Sequence, residues 1–198
     1  MLQVCALSCL QISITRSQFR KDMATNQRTV YFTACAQNPP HQVKFDFFYM
    51  HCVNCSIFFS SFLHSTFLSS ANKVRLLEWK ARNDIAMYVS RGSPPLVLDE
   101  ITSYTSKNDL NWSEVIQRVN KHSPDDGHAS KLIRALAHGA QACKKFEGKD
   151  GFVVKGDMWR TLGNMGMDSV EAEGPTWVRG CGFEEAWESV PKREGSRL

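Results

Sequence analysis

Apolar positions recur at three and four residues over most of this chain, which is the spacing of helix faces, and no run alternates as a half-buried strand does. From Phe45 the series Phe45, Phe48, Cys52, Cys55, Phe59 and Phe62, widened by Tyr49, Val53 and Ile57, predicts a helix apolar around most of its circumference and therefore buried. Asn72 can cap a second helix that turns Leu76, Leu77, Ile85, Met87 and Tyr88 inward and Arg75, Glu78 and Arg82 to water, stopped by Gly92 and Pro94-Pro95. A short helix is expected from Asp99 to Tyr104. Asn111 and Glu114 have the spacing of a capping box and open a helix to about Lys121. Pro124-Asp125-Asp126 opens another, with Ala129, Leu132, Ile133 and Leu136 on one face and Gly139 just past its end. Val153 to Val170 keeps the period through Val154, Met158, Leu162 and Met165, and its Gly156, Gly163 and Gly166 point to close helix packing. Glu184 to Val190 makes a last short helix. The expected fold is all-α, an irregular helical domain.

Residues 1–36 carry no sustained period and lead into Asn38-Pro39-Pro40, so they read as a loop-like extension ahead of a helical region, 37–191, and a polar tail, 192–198. With 198 residues, 42% of them apolar, the chain can fill a core. The formal charge of +4 is local: up to Asp46 there are five basic and two acidic residues, and beyond it 19 and 18. A near-neutral body lacks the basic stripe that neutralises phosphates, which argues against nucleic acid as the main partner. Seven cysteines, an odd number scattered over the chain, do not suit a disulfide framework and point to a reducing compartment, most simply the cytoplasm. The 26 residues from Phe47 to Asn72 hold no Asp, Glu, Lys or Arg and are long enough to span a bilayer. His51, Asn54, Ser56, Ser60, Ser61 and His64 within that run favour a buried helix and no membrane partner.

His51 lies mid-helix beside a Cys52-x-x-Cys55 pair. A redox pair needs to open a helix, and a zinc site needs a second ligand pair, so two core cysteines are the simpler reading. An imidazole on an apolar helix must find a partner, which a metal, a substrate oxygen or an ordinary core hydrogen bond can supply. Lys80 and Asp84, four apart, are an ion pair at the edge of a buried face or, with Lys80 buried, a base, a Schiff-base former or a carbon dioxide-modified metal ligand. His128 can pair with Asp125 or Asp126, which also suit a helix cap. No phosphate loop, dinucleotide fingerprint, nucleophile elbow or His-Glu-x-x-His appears, and no flavin motif is recognisable.

Several blocks in order carry a family resemblance: Phe48-Tyr49-Met50-His51-Cys52-Val53-Asn54, Asn72 to Lys80, Met87 to Gly92, Asp125 to Leu136, Gly156-Asp157-Met158-Trp159 with Leu162 to Met165, Trp177-Val178-Arg179, and Gly182 to Glu188. Together they resemble the fungal questin oxidase-like family. The resemblance implies an oxidoreductase of polyketide secondary metabolism that opens a ring of anthraquinone-type substrates with O2 and NADPH, in a Baeyer-Villiger-like or ring-cleaving oxygenation. It implies His51, Lys80 and His128 as catalytic candidates, with His51 and Lys80 as ligands if non-haem iron takes part. It runs from about Gln37 to Pro191 and covers only the C-terminal part of such proteins. The chain is therefore expected to be truncated, with weak or no turnover, and residues 1–36 are alternatively an aberrant gene start. Self-association, or a non-catalytic fragment that binds a small aromatic ligand or a full-length relative, is the competing expectation.

Overall fold

The computed structural model describes residues 16–123 and 125–193, with side chains from residue 26 onward. Among the described residues it is all-α: α1 (Arg16–Cys35), α2 (Phe47–His64), α3 (Ser70–Ser90), the one-turn α4 (Asp99–Thr102), α5 (Trp112–Lys121), α6 (His128–Cys143) and α7 (Met158–Glu171), with 3-10 turns at Lys144–Phe146 and Glu184–Trp187. The only pairing of extended backbone among them is two isolated bridges, His41 with Lys192 and Asp46 with Val178. No helix of the described chain is long and apolar enough to cross a membrane.

α2 is central, packing on α1, α3 and α6, while α7 closes the core from the far side of α6. The main core joins Val30 and Ala34 of α1, Met50 and Val53 of α2, Leu132 and Leu136 of α6, and Trp159, Leu162 and Met165 of α7, all at most 1% exposed. Each such side chain contributes about 1.5–3 kcal/mol on burial.

The stretch read as a loop up to residue 36 is helical from Arg16. Its inward face mixes Asn26, Gln27, Thr29 and Thr33 with Val30, Phe32 and Ala34, which hides it from a search for apolar periodicity. Buried Asn26 donates to Ser56 Oγ at 2.7 Å. Gln27 both donates to and accepts from the Val154 backbone, at 2.6 and 3.0 Å. α2 is buried on one side only, since Phe58 and Phe62 are exposed. In α3 the cap is Ser69 rather than Asn72, whose amide instead donates to the Ser69 hydroxyl. The buried stripe of α3 is Leu77, Lys80 and Asp84, while Ile85, expected inside, is half exposed.

The capping box of Asn111 and Glu114 forms as expected. α6 runs through Gly139 to Cys143, because a Cβ at Gly139 would meet the Trp159 ring at 2.6 Å and the position serves packing rather than termination. Gly163 in α7 faces Trp112 in the same way, at 2.9 Å. Gly156, expected to serve close helix packing, instead precedes α7 at φ +52 with nothing near its Cβ position, so it turns the chain into the helix. The last short helix is a single 3-10 turn.

Candidate functional site

The start of α2 is fixed by one carboxylate. Asp46 Oδ1 accepts from the amides of Phe48 and Tyr49, at 2.8 and 3.2 Å, and Oδ2 from those of Gly180 and Cys181, at 2.7 and 3.1 Å. The Val178 backbone pairs with Phe47 and Phe45 on either side of that cap. The returning chain is held again at the end of α3, where Gly92 and Gly182 approach so closely that a Cβ on either would strike the other's backbone. These ties bring Trp177 and Arg179 to Phe47. The Arg179 guanidinium sits 4.2 Å from the ring centroid, and Arg91 covers Phe48 at 4.4 Å.

One turn beyond Phe47 lies His51, and the start of α6 delivers His128 to the same place. Asp125 caps α6, accepting from the amides of Ala129 and Ser130 at 2.9 and 3.0 Å. Gly127, left-handed at φ +94, turns the chain into the helix. Asp126 accepts from His128 Nδ1 at 2.5 Å. A carboxylate at Nδ1 holds the proton there and leaves Nε2 as the exchangeable nitrogen. The two imidazoles stand edge to face with centroids 5.2 Å apart, and both rest on Phe47, at 4.8 and 4.9 Å. Burial, then His128 and Lys131, hold the His51 pKa below its ordinary value. The result is a neutral imidazole beside an oriented one, on an aromatic shelf flanked by cations, suited to taking and returning a proton.

Lys80 does not join this cluster. Its ammonium lies on both Asp84 oxygens at 2.5 Å, with the two side chains 3% and 7% exposed, next to Cys52 and Cys55 on another flank of α2. His51 and Lys80, expected together as metal ligands, therefore face different partners. Among the described residues no three His, Cys, Asp or Glu side chains converge as a metal site. Among the helix N-termini, amides of α2, α3, α5 and α6 are taken by the side chains of Asp46, Ser69, Asn111 and Asp125, whereas α7 begins without a side-chain cap. Cys52 is buried and Cys55 exposed, and both are free thiols. The pattern reading missed Phe47 and Arg179, whose stacked geometry comes from segments distant in sequence. Trp177-Val178-Arg179 was visible only as a block of family resemblance.

The questin oxidase-like family profile matches residues 8–136, a stretch that begins within the residues set apart as an extension. A Baeyer-Villiger oxidase of Pestalotiopsis microspora is 39% identical over 168 residues, covering 82% of this chain and 37% of its own length. Questin oxidase of Aspergillus fumigatus is 35% identical over 195 residues, covering 91% and 43%. An oxidoreductase of Aspergillus parasiticus is 34% identical over 219 residues, covering 95% and 44%. The chain thus spans about two fifths of the length of these relatives. Profile and relatives agree with the resemblance drawn from the sequence blocks, and the chain belongs to the questin oxidase-like family.

Proposed function

We propose that this chain belongs to an oxidoreductase that cleaves a ring of an aromatic polyketide, of anthraquinone type, by Baeyer-Villiger-like oxygenation, with His51 and His128 moving the protons. The observation that carries the assignment of these residues is the imidazole pair itself: two rings at 5.2 Å over Phe47, one neutral and one oriented by Asp126. The Baeyer-Villiger and questin oxidases among its relatives support the reaction class. In an oxygen insertion next to a ring carbonyl, a phenolic or hydroperoxidic proton must be removed and a departing oxygen protonated. Neutral His51 takes the first proton, and the His128 ring, oriented by Asp126 at Nδ1, is the group beside it for the second transfer. Positioned acid-base groups of this kind contribute roughly 100- to 10,000-fold in rate. The Arg179 guanidinium on Phe47, with Trp177 at 6.5 Å from that ring, presents a cation suited to a flat electron-rich ring.

NADPH and O2 are the co-substrates of this proposal, on the family resemblance. Among the described residues no three His, Cys, Asp or Glu side chains gather as a metal site, and the roles proposed for His51 and His128 are proton transfers alone. The test is oxygen uptake and product mass for the purified chain with questin and NADPH, beside His51→Gln and His128→Gln. The expected outcome is a loss of at least 100-fold in kcat in each variant with an unchanged circular dichroism spectrum. Full activity in both variants would overturn the assignment.

A second reading is a non-catalytic helical fragment that binds an aromatic ligand or a longer relative. It is favoured by the apolar side chains that α2, α3 and their connection leave in water, among them Phe58, Phe67, Trp79 and Val89. Questin binding without oxygen uptake would select it.

A further inference from the structure

The ion pair of Lys80 and Asp84 takes no part in the imidazole site, yet it is almost fully buried. Removing two charges from water costs several kcal/mol each, and their attraction offsets this only when the remaining lone pairs are also satisfied. Lys80 donates once to each Asp84 oxygen, and the buried Cys52 thiol lies beside the same carboxylate. An ionised carboxylate has about four acceptor positions. Even with the thiol on one of them, at least one is left over, and Asp84 is the one acidic residue lining a cleft of about 220 Å³ between α1 and α3.

The walls of that cleft are apolar: Tyr31, Phe32, Ile85, Tyr88 and Leu96. They are also fixed. Tyr88 donates its hydroxyl to the Pro94 carbonyl at 2.7 Å, its own carbonyl accepts from Tyr49 Oη at 3.0 Å, and its ring lies 6.0 Å from Phe32. Arg28 is at the mouth, close enough to act on the Asp84 charge. The chemistry selects among ligands. A cationic amine meets Lys80 and Arg28, a carboxylate meets Asp84, and a plain hydrocarbon leaves the spare acceptor unmet. A volume below the roughly 300 Å³ at which drug-sized sites begin limits the occupant to one or two rings.

We propose that the cleft between α1 and α3 is a binding site for a neutral hydroxylated aromatic of one or two rings, whose hydroxyl donates to the spare acceptor of Asp84. The site is separate from the imidazole pair and does not depend on the oxygenation reading, because binding is measured without turnover.

The probe is 2-naphthol, titrated calorimetrically into the full chain, with 2-methoxynaphthalene as its donorless counterpart. One-to-one binding of 2-naphthol is expected, at least fivefold tighter than the ether. Ile85→Trp fills the cleft from a half-exposed position and should weaken 2-naphthol at least tenfold without lowering Tm. The double variant Lys80→Met with Asp84→Leu removes the acceptor while keeping the site filled by apolar groups, and should bind the phenol and the ether equally. Equal affinity of the two probes for the unmodified chain, or undiminished binding to Ile85→Trp, would overturn the proposal.

Discussion

The carboxylate of Asp46 holds the amide of Gly180 at 2.7 Å with one oxygen while the other caps α2, so a single side chain joins the start of the central helix to the chain near its end. Asp46 is 1% exposed, so its four amide partners are reached by the carboxylate and not by bulk solvent. Asp46→Ala orphans four amides at once, two at the helix start and two in the returning segment. Loss of the cap costs about 1 kcal/mol. Stranding buried donors that had a charged acceptor adds about 1–3 kcal/mol. The expected outcome is a fall of about 3 kcal/mol in urea unfolding free energy. A fall below about 1 kcal/mol would mean that the segment carrying Trp177 and Arg179 is held by other contacts.

The imidazole pair makes a titration prediction. His51 is pushed below its ordinary pKa first by burial and then by His128 and Lys131. In two-dimensional NMR its ring should titrate below the roughly 6.5 of an unperturbed histidine. His128→Ala removes one positive neighbour and should move the His51 pKa upward, yet still short of that ordinary value because burial is the larger cause. The sign for stability follows. Folding favours neutral His51, so its contribution is complete above about pH 6.5 and is lost as pH falls through its folded pKa. A His51 pKa unaffected by His128→Ala would contradict the 5.2 Å contact.

The elements with apolar faces and side-chain caps were legible in the sequence. The Asn111 and Glu114 box, the α6 face of Leu132, Ile133 and Leu136, and the close-packed glycines of α7 all follow from spacing. α1 was not, because it buries Asn26, Gln27, Thr29 and Thr33, whose hydrogen bonds lie within the helix or reach Ser56 and Val154. α3 inverts the rule in the same way, burying Lys80 and Asp84 and leaving Trp79 and Val89 in water. His51 and His128 were each identifiable as titratable groups on apolar helices. Their convergence, and the position of Lys80 apart from them, depend on how α2 packs against α6 and α3, which no local pattern encodes.

Two glycines that look alike in sequence should respond oppositely to alanine. At Gly139 a Cβ would lie 2.6 Å from the Trp159 ring and 2.9 Å from Asn26 Oδ1, and that tryptophan is 1% exposed with nowhere to go. Overpacking of this kind costs about 1–3 kcal/mol, more than the roughly 0.5–1 kcal/mol that alanine gains in a helix. At Gly166 the first contact is the end of the Ile133 side chain at 3.3 Å, which a small rotation relieves. Gly139→Ala should lower Tm by several degrees, and Gly166→Ala should leave it unchanged or raise it. Equal effects would show that α6 and α7 can separate at Trp159.

The thiols give a prediction in alkali. Burial pushes Cys35 and Cys52 up to about 12 and Cys181 up as well. In the unfolded chain a thiol ionises near 8.5. The folded protein keeps these protons while the unfolded one loses them, so their contribution is complete below about pH 8.5 and is lost as pH rises toward 12, at up to about 1.4 kcal/mol per pH unit for each thiol. Lys44, fully buried on the carbonyls of Ser169 and Ala172 and lowered to about 8, acts in the opposite sense between about 8 and its unfolded value near 10.4. Three thiols outweigh one lysine, and the urea midpoint should fall between pH 7.5 and 9.5. Peptide-mapped alkylation with iodoacetamide at pH 8 separates the positions. The exposed Cys55 should react before Cys52, although the two sit three residues apart on α2. Cys52 is sealed against Asp84 and should react only as fast as the protein unfolds. Simultaneous labelling of both would place the buried ion pair, and the cleft it lines, in water.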